Sequence, residues 1–269
     1  MSRRGALPCV LTIAGSDSGG GAGIQADIRT LSALGVHPLT ALAALTAQNT
    51  RGVAAIQRLP DEFVLTQIRT VLSDLPVRAA KTGMLAEPSL VLAVAGAIRE
   101  LEIPNLVVDP VMISKSGVSL LSSRAVKLMR DELIPLARVV TPNLPEAEAL
   151  LGRALRNSRE IEEAAREIHS WGPGSVVIKG GHRRDEPADL YYDSAGFVIF
   201  QGERIRTVSD HGTGCTFSAA IAAMLARGAE PRVAVGEAKS YVSEALRRSP
   251  RLGSGHGPLD HFFFLGESN

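Results

Sequence analysis

The sequence predicts an α/β protein in which helices cover both faces of a mostly parallel sheet, a three-layer αβα arrangement. Short apolar runs alternate with amphipathic helical stretches, which is the order expected of parallel strands joined by helical crossovers. Polar and glycine-rich segments follow several of these runs, where open parallel sheets bind ligands. The chain has 269 residues, 45% of them hydrophobic, which is enough for one large core. We therefore interpret residues 1–269 as a single domain.

The individual elements follow from the period of the apolar residues. Strands are predicted at residues 9–14, 39–44, 53–57, 79–82, 106–108, 138–141 and 176–179. Helices are predicted at residues 24–34, 61–73, 88–101, 122–134, 158–171 and 216–226. Residues 189–200 break the alternation, because two apolar segments flank the turn-forming sequence D-S-A-G, and this pattern predicts a β-hairpin attached to the sheet. The apolar residues Phe262, Phe263 and Phe264 are expected to be buried against the domain.

Charge and cysteine content narrow the class of protein. A net charge of +1 without basic runs argues against nucleic acid or a membrane surface as the main partner. No apolar run approaches the ~18 residues of a membrane span. Cys9 and Cys215 are the only cysteines, so the sequence offers neither metal-ligand spacing nor a disulfide framework. A reducing cytoplasm is the expected location.

A glycine pair at a helix start predicts an anion-binding site with a reactive side chain. The residues concerned are His211, Gly212, Thr213, Gly214 and Cys215, directly before the helix at residues 216–226. The two glycines let successive backbone amides converge on one oxyanion at the positive end of that helix. A thiol in this position is expected to ionise more readily than a free one. The structural alternative is a capped turn in which Cys215 is a small packing residue.

A second glycine-rich segment, residues 14–23, joins the first strand to the first helix. Ligands bind at this position in open α/β sheets. Residues 21–26 match the loose G-x-G-x-x-A dinucleotide pattern, but no acidic residue lies between Asp27 and Asp61 to bind a ribose. No glycine is followed by lysine, which excludes a Walker loop. The loop is therefore expected to cover another small ligand, with Asp27 free to hydrogen-bond it; the alternative is a structural turn with Asp27 on a solvated helix face.

Polar side chains also follow other predicted strands. The amide of Gln48 suits the polar edge of a heterocycle, although an amide satisfied within a loop is the simpler explanation of that residue alone. Asp109 ends a strand, where its carboxylate can hold Mg²⁺ or orient a phosphate. Asn143 and Glu146 mark a helix start and suit metal-water and phosphate contacts, with helix-end charge compensation as the alternative for Glu146. Lys179 ends a strand and precedes two glycines, a combination that suits nucleotide phosphates.

These motifs, in this order, resemble the ribokinase-like superfamily and, within it, the hydroxymethylpyrimidine/phosphomethylpyrimidine kinases of thiamine synthesis. The matching segments are A-G-S-D-S-G-G-G-A-G-I-Q-A-D, T-A-Q-N-T, K-T-G-M-L, V-D-P-V-M, T-P-N-L-P-E-A, I-K-G-G-H, H-G-T-G-C-T and G-H-G-P-L-D-H-F. The resemblance implies a ribokinase-like fold and a homodimer. It also implies the use of ATP and Mg²⁺ to phosphorylate 4-amino-5-hydroxymethyl-2-methylpyrimidine and then its monophosphate.

The resemblance also implies roles for individual residues. The pyrimidine site would be lined by Gly15, Ala22, Asp27, Gln48 and Val111. The anion hole would be formed by Gly212, Thr213, Gly214 and Cys215, with Asp109 and Glu146 near Mg²⁺ and Asn143, Lys179 and His211 near the nucleotide. Two residues depart from the family pattern: Thr46 stands where some relatives have an aliphatic residue, and Asp260 where relatives often have asparagine.

The two-step reaction suggests a reason for a cysteine at position 215. Most members of the superfamily have aspartate at the position of Cys215. A fixed carboxylate ~4 Å from an incoming phosphate would cost on the order of 4 kcal/mol per pair of unit charges at an effective dielectric constant of ~20, whereas a neutral thiol would not. The phosphate nucleophile is already ionised, so Cys215 is expected to matter more for the alcohol step.

Two other functions remain open at this point. A pyridoxine, pyridoxal or pyridoxamine kinase of the same superfamily would also act on a hydroxymethyl group of a heteroaromatic ring; Gln48 and the long glycine loop favour the pyrimidine. A non-catalytic nucleotide-binding or regulatory protein is the second alternative, and ATP turnover with the pyrimidine would exclude it.

Overall fold

A computed structural model describes residues 7–112, 121–180 and 188–267. The strands are β1 Cys9–Asp17, β2 His37–Asn49, β3 Gly52–Arg58, β4 Val77–Thr82, β5 Leu106–Val108, β6 Val139–Val140, β7 Val176–Ile178, β8 Asp189–Asp193 and β9 Gly196–Phe200. They form one sheet in the order β3-β2-β1-β4-β5-β6-β7-β8-β9. Neighbouring strands in the central part of this order, β2-β1-β4-β5-β6-β7, are parallel. The pairs β2 with β3, β7 with β8 and β8 with β9 are antiparallel. The mostly parallel sheet and the hairpin at residues 189–200 are thus confirmed.

Helices cover both faces of this sheet. They are α1 Gly23–Ala33, α2 Asp61–Leu72, α3 Pro88–Glu100, α4 Ser123–Leu128, α5 Leu144–Leu151, α6 Ser158–Ser170, α7 Thr213–Ala226 and α8 Pro231–Arg247. Side chains alternate along the strands between two cores: Leu11 faces the core formed with α2 to α6, and Val10 faces the core formed with α1, α7 and α8. The αβα architecture is therefore the one that the sequence predicts.

Three local expectations need correction. The helix predicted at residues 122–134 is α-helical only to Leu128 and continues as a π-helical turn, Met129–Leu133. The sequence analysis missed α8, although Pro231 at its first position is a common helix-start signal. Of the three phenylalanines near the end of the described chain, Phe263 packs against the second core, whereas Phe262 and Phe264 remain 37% and 43% exposed.

The placement of the loops positions the functional site. In a parallel sheet the carboxyl ends of the strands share one edge, and the following helices begin there. The loops after β1, β5, β6 and β7 therefore meet beside the start of α7. No helix within the described ranges is long and apolar enough to cross a membrane.

Candidate active site

A cavity of about 920 Å³ lies at the carboxyl edge of the sheet. It brings together nearly all the site residues predicted from the sequence. Its walls include Gly15, Ala22, Gln48, Asp109, Val111, Asn143, Glu146, Lys179, His211, Gly212, Thr213, Gly214 and Cys215. Asp27 is the predicted site residue that does not line it. Of the motif that follows Lys179, Gly181 and His182 lie outside the described residues.

The start of α7 forms one wall of the cavity. Gly212 adopts φ +86°, and a Cβ atom there would lie 1.8 Å from the carbonyl oxygen of Gly21, so only glycine allows the two glycine-rich loops to pack together. No side chain caps the first turn of α7. Its first amides therefore face the cavity with the partial positive charge of the helix end, which is an arrangement suited to a phosphate.

Cys215 lies in the first turn of α7, against the start of α1. Its sulfur accepts a hydrogen bond from the backbone of Gly23. Burial raises the pKa of the thiol to about 11, and the nearby Lys81 ammonium only partly offsets this effect. The expectation that the helix terminus makes this thiol ionise readily is therefore wrong: loss of hydration outweighs the helix end, and Cys215 is a neutral thiol at neutral pH.

Lys179 joins two buried carboxylates at the centre of the cavity. Its Nζ atom lies 3.0 Å from Asp109 Oδ1 and 4.0 Å from Glu146 Oε2. The second oxygen of Asp109 accepts a hydrogen bond of 3.2 Å from Ser218 in α7. Although burial favours the neutral amine, the two carboxylates raise the pKa of Lys179 above its usual value. We name Asp109, Glu146 and Lys179 the charged cluster.

Glu146 and Asn143 also cap the start of α5. The Asn143 side chain accepts a hydrogen bond from the Glu146 amide, and the Glu146 carboxylate accepts one from the Asn143 amide, which is a reciprocal capping box. Glu146 therefore has the helix-end role that the sequence analysis gave as the alternative to metal binding. Burial raises the pKa of Glu146 to about 7, with Lys179 opposing this and Asp109 adding to it. A buried carboxylate beside a second carboxylate favours an additional cation.

The charged cluster could hold Mg²⁺ only together with a phosphorylated ligand. No group of three or more His, Cys, Asp or Glu side chains within the described residues is arranged to bind a metal. Mg²⁺ commonly uses one or two carboxylates and completes its octahedron with water and substrate phosphates. Asp109 and Glu146 match that requirement.

Asp27 lies beneath the cavity and is fully buried. Its carboxylate pairs with Lys81 Nζ at 2.9 Å through each oxygen and accepts a hydrogen bond from Thr12. The interpretation that Asp27 is free for a ligand is therefore wrong, because both oxygens are occupied and neither Asp27 nor Lys81 is exposed to solvent. Its contact with a pyrimidine stays a prediction. We name Asp27 and Lys81 the buried pair.

His211 lies at the glycine-loop end of the cavity. Its Nε2 atom lies 2.8 Å from Asp17 Oδ2 and 3.0 Å from the amide of Gln48. The sequence analysis assigned His211 to the nucleotide, whereas its hydrogen-bond partners are a glycine-loop residue and the residue expected to bind the pyrimidine. His211 thus connects the start of α7 to the glycine-rich loop and to Gln48.

The sequence analysis missed several residues of the site. Asp17 stands inside the glycine-rich motif, and its position there was the available signal. Lys81 belongs to the K-T-G-M-L segment, which carried the resemblance but received no role. Ser218 follows Cys215 by three positions on the same helix, a spacing that places both on one face.

Comparison with known proteins identifies close relatives in sequence. Residues 17–260 match the family model of phosphomethylpyrimidine kinase. A thiamine biosynthesis bifunctional protein of Geobacter sulfurreducens is 46% identical over 264 residues, which are 97% of this chain and 54% of the relative. A hydroxymethylpyrimidine/phosphomethylpyrimidine kinase of Synechococcus elongatus is 46% identical over 97% of this chain and 99% of its own length. The chain thus spans about half of the first relative and almost all of the second.

Solved structures share the whole fold. An ADP complex of Bacillus subtilis pyridoxal kinase has a TM-score of 0.90 and 37% identity, covering 97% of this chain and 99% of its own. The phosphomethylpyrimidine kinase of Clostridium difficile has a TM-score of 0.81 and 42% identity, covering 89% of this chain and 99% of its own. These matches confirm the architecture expected from the resemblance to the ribokinase-like superfamily.

Proposed function

The chain belongs to the phosphomethylpyrimidine kinase family, and on that premise we propose that it uses ATP to phosphorylate 4-amino-5-hydroxymethyl-2-methylpyrimidine and then the resulting monophosphate, in thiamine biosynthesis. The observation that carries the proposal is that one cavity combines the required groups. It holds a polar amide for a heterocycle, Gln48, an uncapped helix start for an oxyanion, and the charged cluster for phosphates. Those are the parts that phosphoryl transfer needs.

The phosphate donor would lie along the charged cluster. Lys179 would neutralise the phosphate oxygens, Asp109 and Glu146 would hold Mg²⁺, and Asn143 would lie beside the nucleotide. When bound, Mg²⁺ supplies positive charge that stabilises the transferring group. The cavity lining also includes the apolar side chains Phe217, Val242 and Leu246, which would suit the base of the nucleotide.

The acceptor would be positioned by the glycine loop and the start of α7. Phosphoryl transfer has a loose transition state, so positioning and charge stabilisation matter more than a strong base. This suits Cys215, because a thiol with a pKa of about 11 stays protonated and is a weak base at neutral pH. The amides of Gly214 and Cys215 can stabilise charge on the transferred group without a conformational change.

A neutral thiol also fits both steps of the proposed reaction. In the second step the nucleophile is a phosphate that carries about −1.5 to −2 charge near neutrality. Because Cys215 adds no negative charge, the same pocket can accept first an alcohol and then its phosphate. A carboxylate at this position would favour only the first.

Pyridoxal kinase activity is the competing function, since the Bacillus subtilis pyridoxal kinase shares the fold with a TM-score of 0.90. The relatives in sequence favour the pyrimidine, because the Synechococcus elongatus kinase is 46% identical over nearly its full length. A kinase assay with the hydroxymethylpyrimidine, its monophosphate and pyridoxal side by side tests the proposal. We expect ATP-dependent formation of the mono- and diphosphate, identified by mass spectrometry. Turnover of pyridoxal without turnover of either pyrimidine would contradict the proposal.

Two further features belong to this proposal. We infer a homodimer, which the resemblance of this chain to the family implies. Light scattering of the purified chain tests it, and a monomer at micromolar concentration would contradict it. We also infer a cytoplasmic location, since Cys9 and Cys215 are both free thiols.

A further inference from the structure

The segment that follows α8 contains a buried histidine that the proposed mechanism does not use. His261 belongs to the motif G-H-G-P-L-D-H-F at residues 255–262, and only 2% of it is exposed. Its Nε2 atom lies 3.0 Å from the hydroxyl oxygen of Thr216, which is fully buried at the end of the first turn of α7. A hydroxyl can donate to an imidazole nitrogen or accept from it, so the pair is satisfied with either tautomer of a neutral ring. His261 thus bonds the helix whose start faces the cavity.

The ring of His261 carries no charge at neutral pH. Burial and the positive charge of Arg29 lower the pKa of His261 to about 4, and a backbone contact with Leu259 opposes them only in part. A cation is unfavourable beside the positive end of a helix. The contact with Thr216 is therefore a neutral hydrogen bond, which holds the helix without adding charge to the site.

Two neighbouring elements fix the backbone around His261. The hydroxyl of Tyr241 in α8 donates to the carbonyl oxygen of His261 at 2.7 Å. On the other side, the amide of His211, which lies just before α7, donates to the carbonyl oxygen of Gly257 at 3.0 Å. The segment is thus bonded to both α8 and the start of α7. His261 therefore meets Thr216 from a fixed position.

The first turns of α7 are bonded on two opposite sides. On the side of the charged cluster, Ser218 Oγ lies 3.2 Å from Asp109 Oδ2. Thr216 and Ser218 are two positions apart, which is about 200° around a helix of 3.6 residues per turn, so Thr216 points to the other side. The amides of Gly214 and Cys215 come directly before these two contacts. Because glycine leaves the backbone of this turn free to move, the side-chain contacts determine where its amides lie.

We propose that Thr216 and His261 are positioning residues for phosphoryl transfer: their hydrogen bond holds the first turn of α7 where the amides of Gly214 and Cys215 stabilise the transferred group. This inference rests on the proposed function and assigns a role to the last motif of the chain. Neither Thr216 nor His261 lines the cavity. A displaced donor matters most in the transition state, where charge develops, so the loss of this bond should lower kcat more than it weakens substrate binding.

The test measures kcat and KM for the hydroxymethylpyrimidine and for ATP in proteins changed at either partner. Thr216→Val and His261→Leu each remove the hydrogen bond, and Thr216→Val/His261→Leu removes both partners. Thr216→Ser keeps the hydroxyl. Ser175→Ala is the matched control, because it also removes a fully buried hydroxyl, whose 3.1 Å hydrogen bond to the Arg138 carbonyl lies at the opposite edge of the sheet. Urea denaturation of every protein is measured in parallel.

We expect kcat to fall about ten- to hundredfold in Thr216→Val and in His261→Leu, with both KM values within about twofold of wild type. The double variant should be about as slow as the slower single variant, because both changes remove one interaction. Thr216→Ser should recover most of the loss. Ser175→Ala should lose stability to a similar degree and keep its kcat. A merely structural role of the pair would lower stability without changing kcat of the folded enzymes.

Hydrogen exchange of the ligand-free proteins tests the position of the turn without turnover. The amide of Thr216 bonds the carbonyl oxygen of Gly212 at 2.8 Å, so the hydrogen-bonded amides of α7 begin there. Protection of the amides of residues 216–219 should be about tenfold lower in His261→Leu and Thr216→Val than in wild type and Ser175→Ala. This measurement decides the inference even if wild type transfers no phosphate to the pyrimidine, a result that would contradict the proposed function alone.

The inference would be overturned by an unchanged kcat in both single variants of an active enzyme, or by effects of the two changes that multiply in the double variant. Unchanged protection of residues 216–219 would also overturn it. So would a kcat in Ser175→Ala as low as that in Thr216→Val, because any buried hydroxyl would then have the same effect. If one single variant does not fold, the variant of the other partner gives the result; failure of both to fold would assign the pair to stability and overturn the inference.

Discussion

The buried pair and the charged cluster combine the same residue types, lysine and carboxylate, in opposite ways. In the buried pair, Lys81 and Asp27 contact each other through both carboxylate oxygens, and neither is exposed. In the charged cluster, one lysine serves two carboxylates, and Lys179 keeps 15% of its side chain exposed to the cavity. The first arrangement is complete within the protein, whereas the second has an excess of negative charge.

Burial raises the pKa of Asp27 as well as that of Glu146, so the two regions differ in geometry and in their balance of charges rather than in the direction of this shift. Glu146 has a pKa of about 7 because burial and the neighbouring Asp109 disfavour its charge. Such unsatisfied charge costs stability and is typical of sites that bind ligands. The comparison teaches that burial alone does not make a charged residue functional. A group that remains open to a cavity, with a charge the protein does not balance, is the better candidate.

The largest expected effect concerns the buried pair. Lys81→Met leaves Asp27 buried without its partner and should lower the free energy of unfolding by about 3–5 kcal/mol, measured by urea denaturation. Lys81→Met/Asp27→Leu removes both charges and should recover most of that loss.

The double variant also tests the predicted contact of Asp27 with the pyrimidine. If Asp27 only supports the fold, kcat/KM for the hydroxymethylpyrimidine should stay within about tenfold of wild type, a change of about 1.4 kcal/mol. A double variant that is stable but loses substrate affinity would restore Asp27 as a binding residue. A single variant as stable as wild type would contradict the structural role of the pair.

The buried pair and the charged cluster show how much of the site could be predicted from the sequence. Alternating apolar runs predicted the sheet and most helices, since each run is itself the local cause of its element. The motifs around Gly15, Asp109 and Cys215 predicted the cavity wall, because loops after parallel strands share one edge. Sequence did not reveal that Lys81 contacts Asp27, 54 positions away, or that burial keeps Cys215 neutral, since both depend on packing across the sheet.

A smaller effect is expected from adding charge beside the cluster. Cys215→Asp should keep phosphorylation of the alcohol but slow that of the monophosphate, because the new carboxylate faces an incoming phosphate. Repulsion between the two charges would cost at most on the order of 4 kcal/mol, which is about a thousandfold in rate. Solvent screening should make the measured loss smaller. From the sequence, Cys215 was expected to matter more for the alcohol step. Because burial keeps the thiol protonated, we now expect Cys215→Ala to change both steps by similar factors. The check is the ratio of the two kcat/KM values, and a ratio that is the same in all three proteins would contradict the charge argument.

Glu146→Gln should give the smallest effect and relieve the imbalance of the cluster. The folded-state pKa of about 7 exceeds the ordinary value of 4.5, so the folded protein binds the proton more tightly. The contribution to stability is therefore complete below pH ~4.5 and is lost as the pH rises through ~7. In metal-free buffer, wild type should lose about 1–3 kcal/mol more than Glu146→Gln across this window.

The same variant should need more Mg²⁺ for half-maximal turnover, because an amide is a weaker ligand than a carboxylate. The two measurements are unfolding at several pH values and a Mg²⁺ titration of activity. Parallel stability profiles together with an unchanged Mg²⁺ requirement would leave Glu146 as a residue of the capping box alone.

The Asp109→Asn variant tests the contrast between the two regions most directly. Both kcat/KM and the free energy of unfolding are measured on the same preparation, and no metal is added in the unfolding experiment. Asparagine removes one of two carboxylates around Lys179 and keeps the shape of the side chain. The account predicts a loss of about 100-fold or more in kcat/KM, with a free energy of unfolding that is equal to or higher than that of wild type. Normal turnover, or a loss of stability as large as that of Lys81→Met, would contradict it.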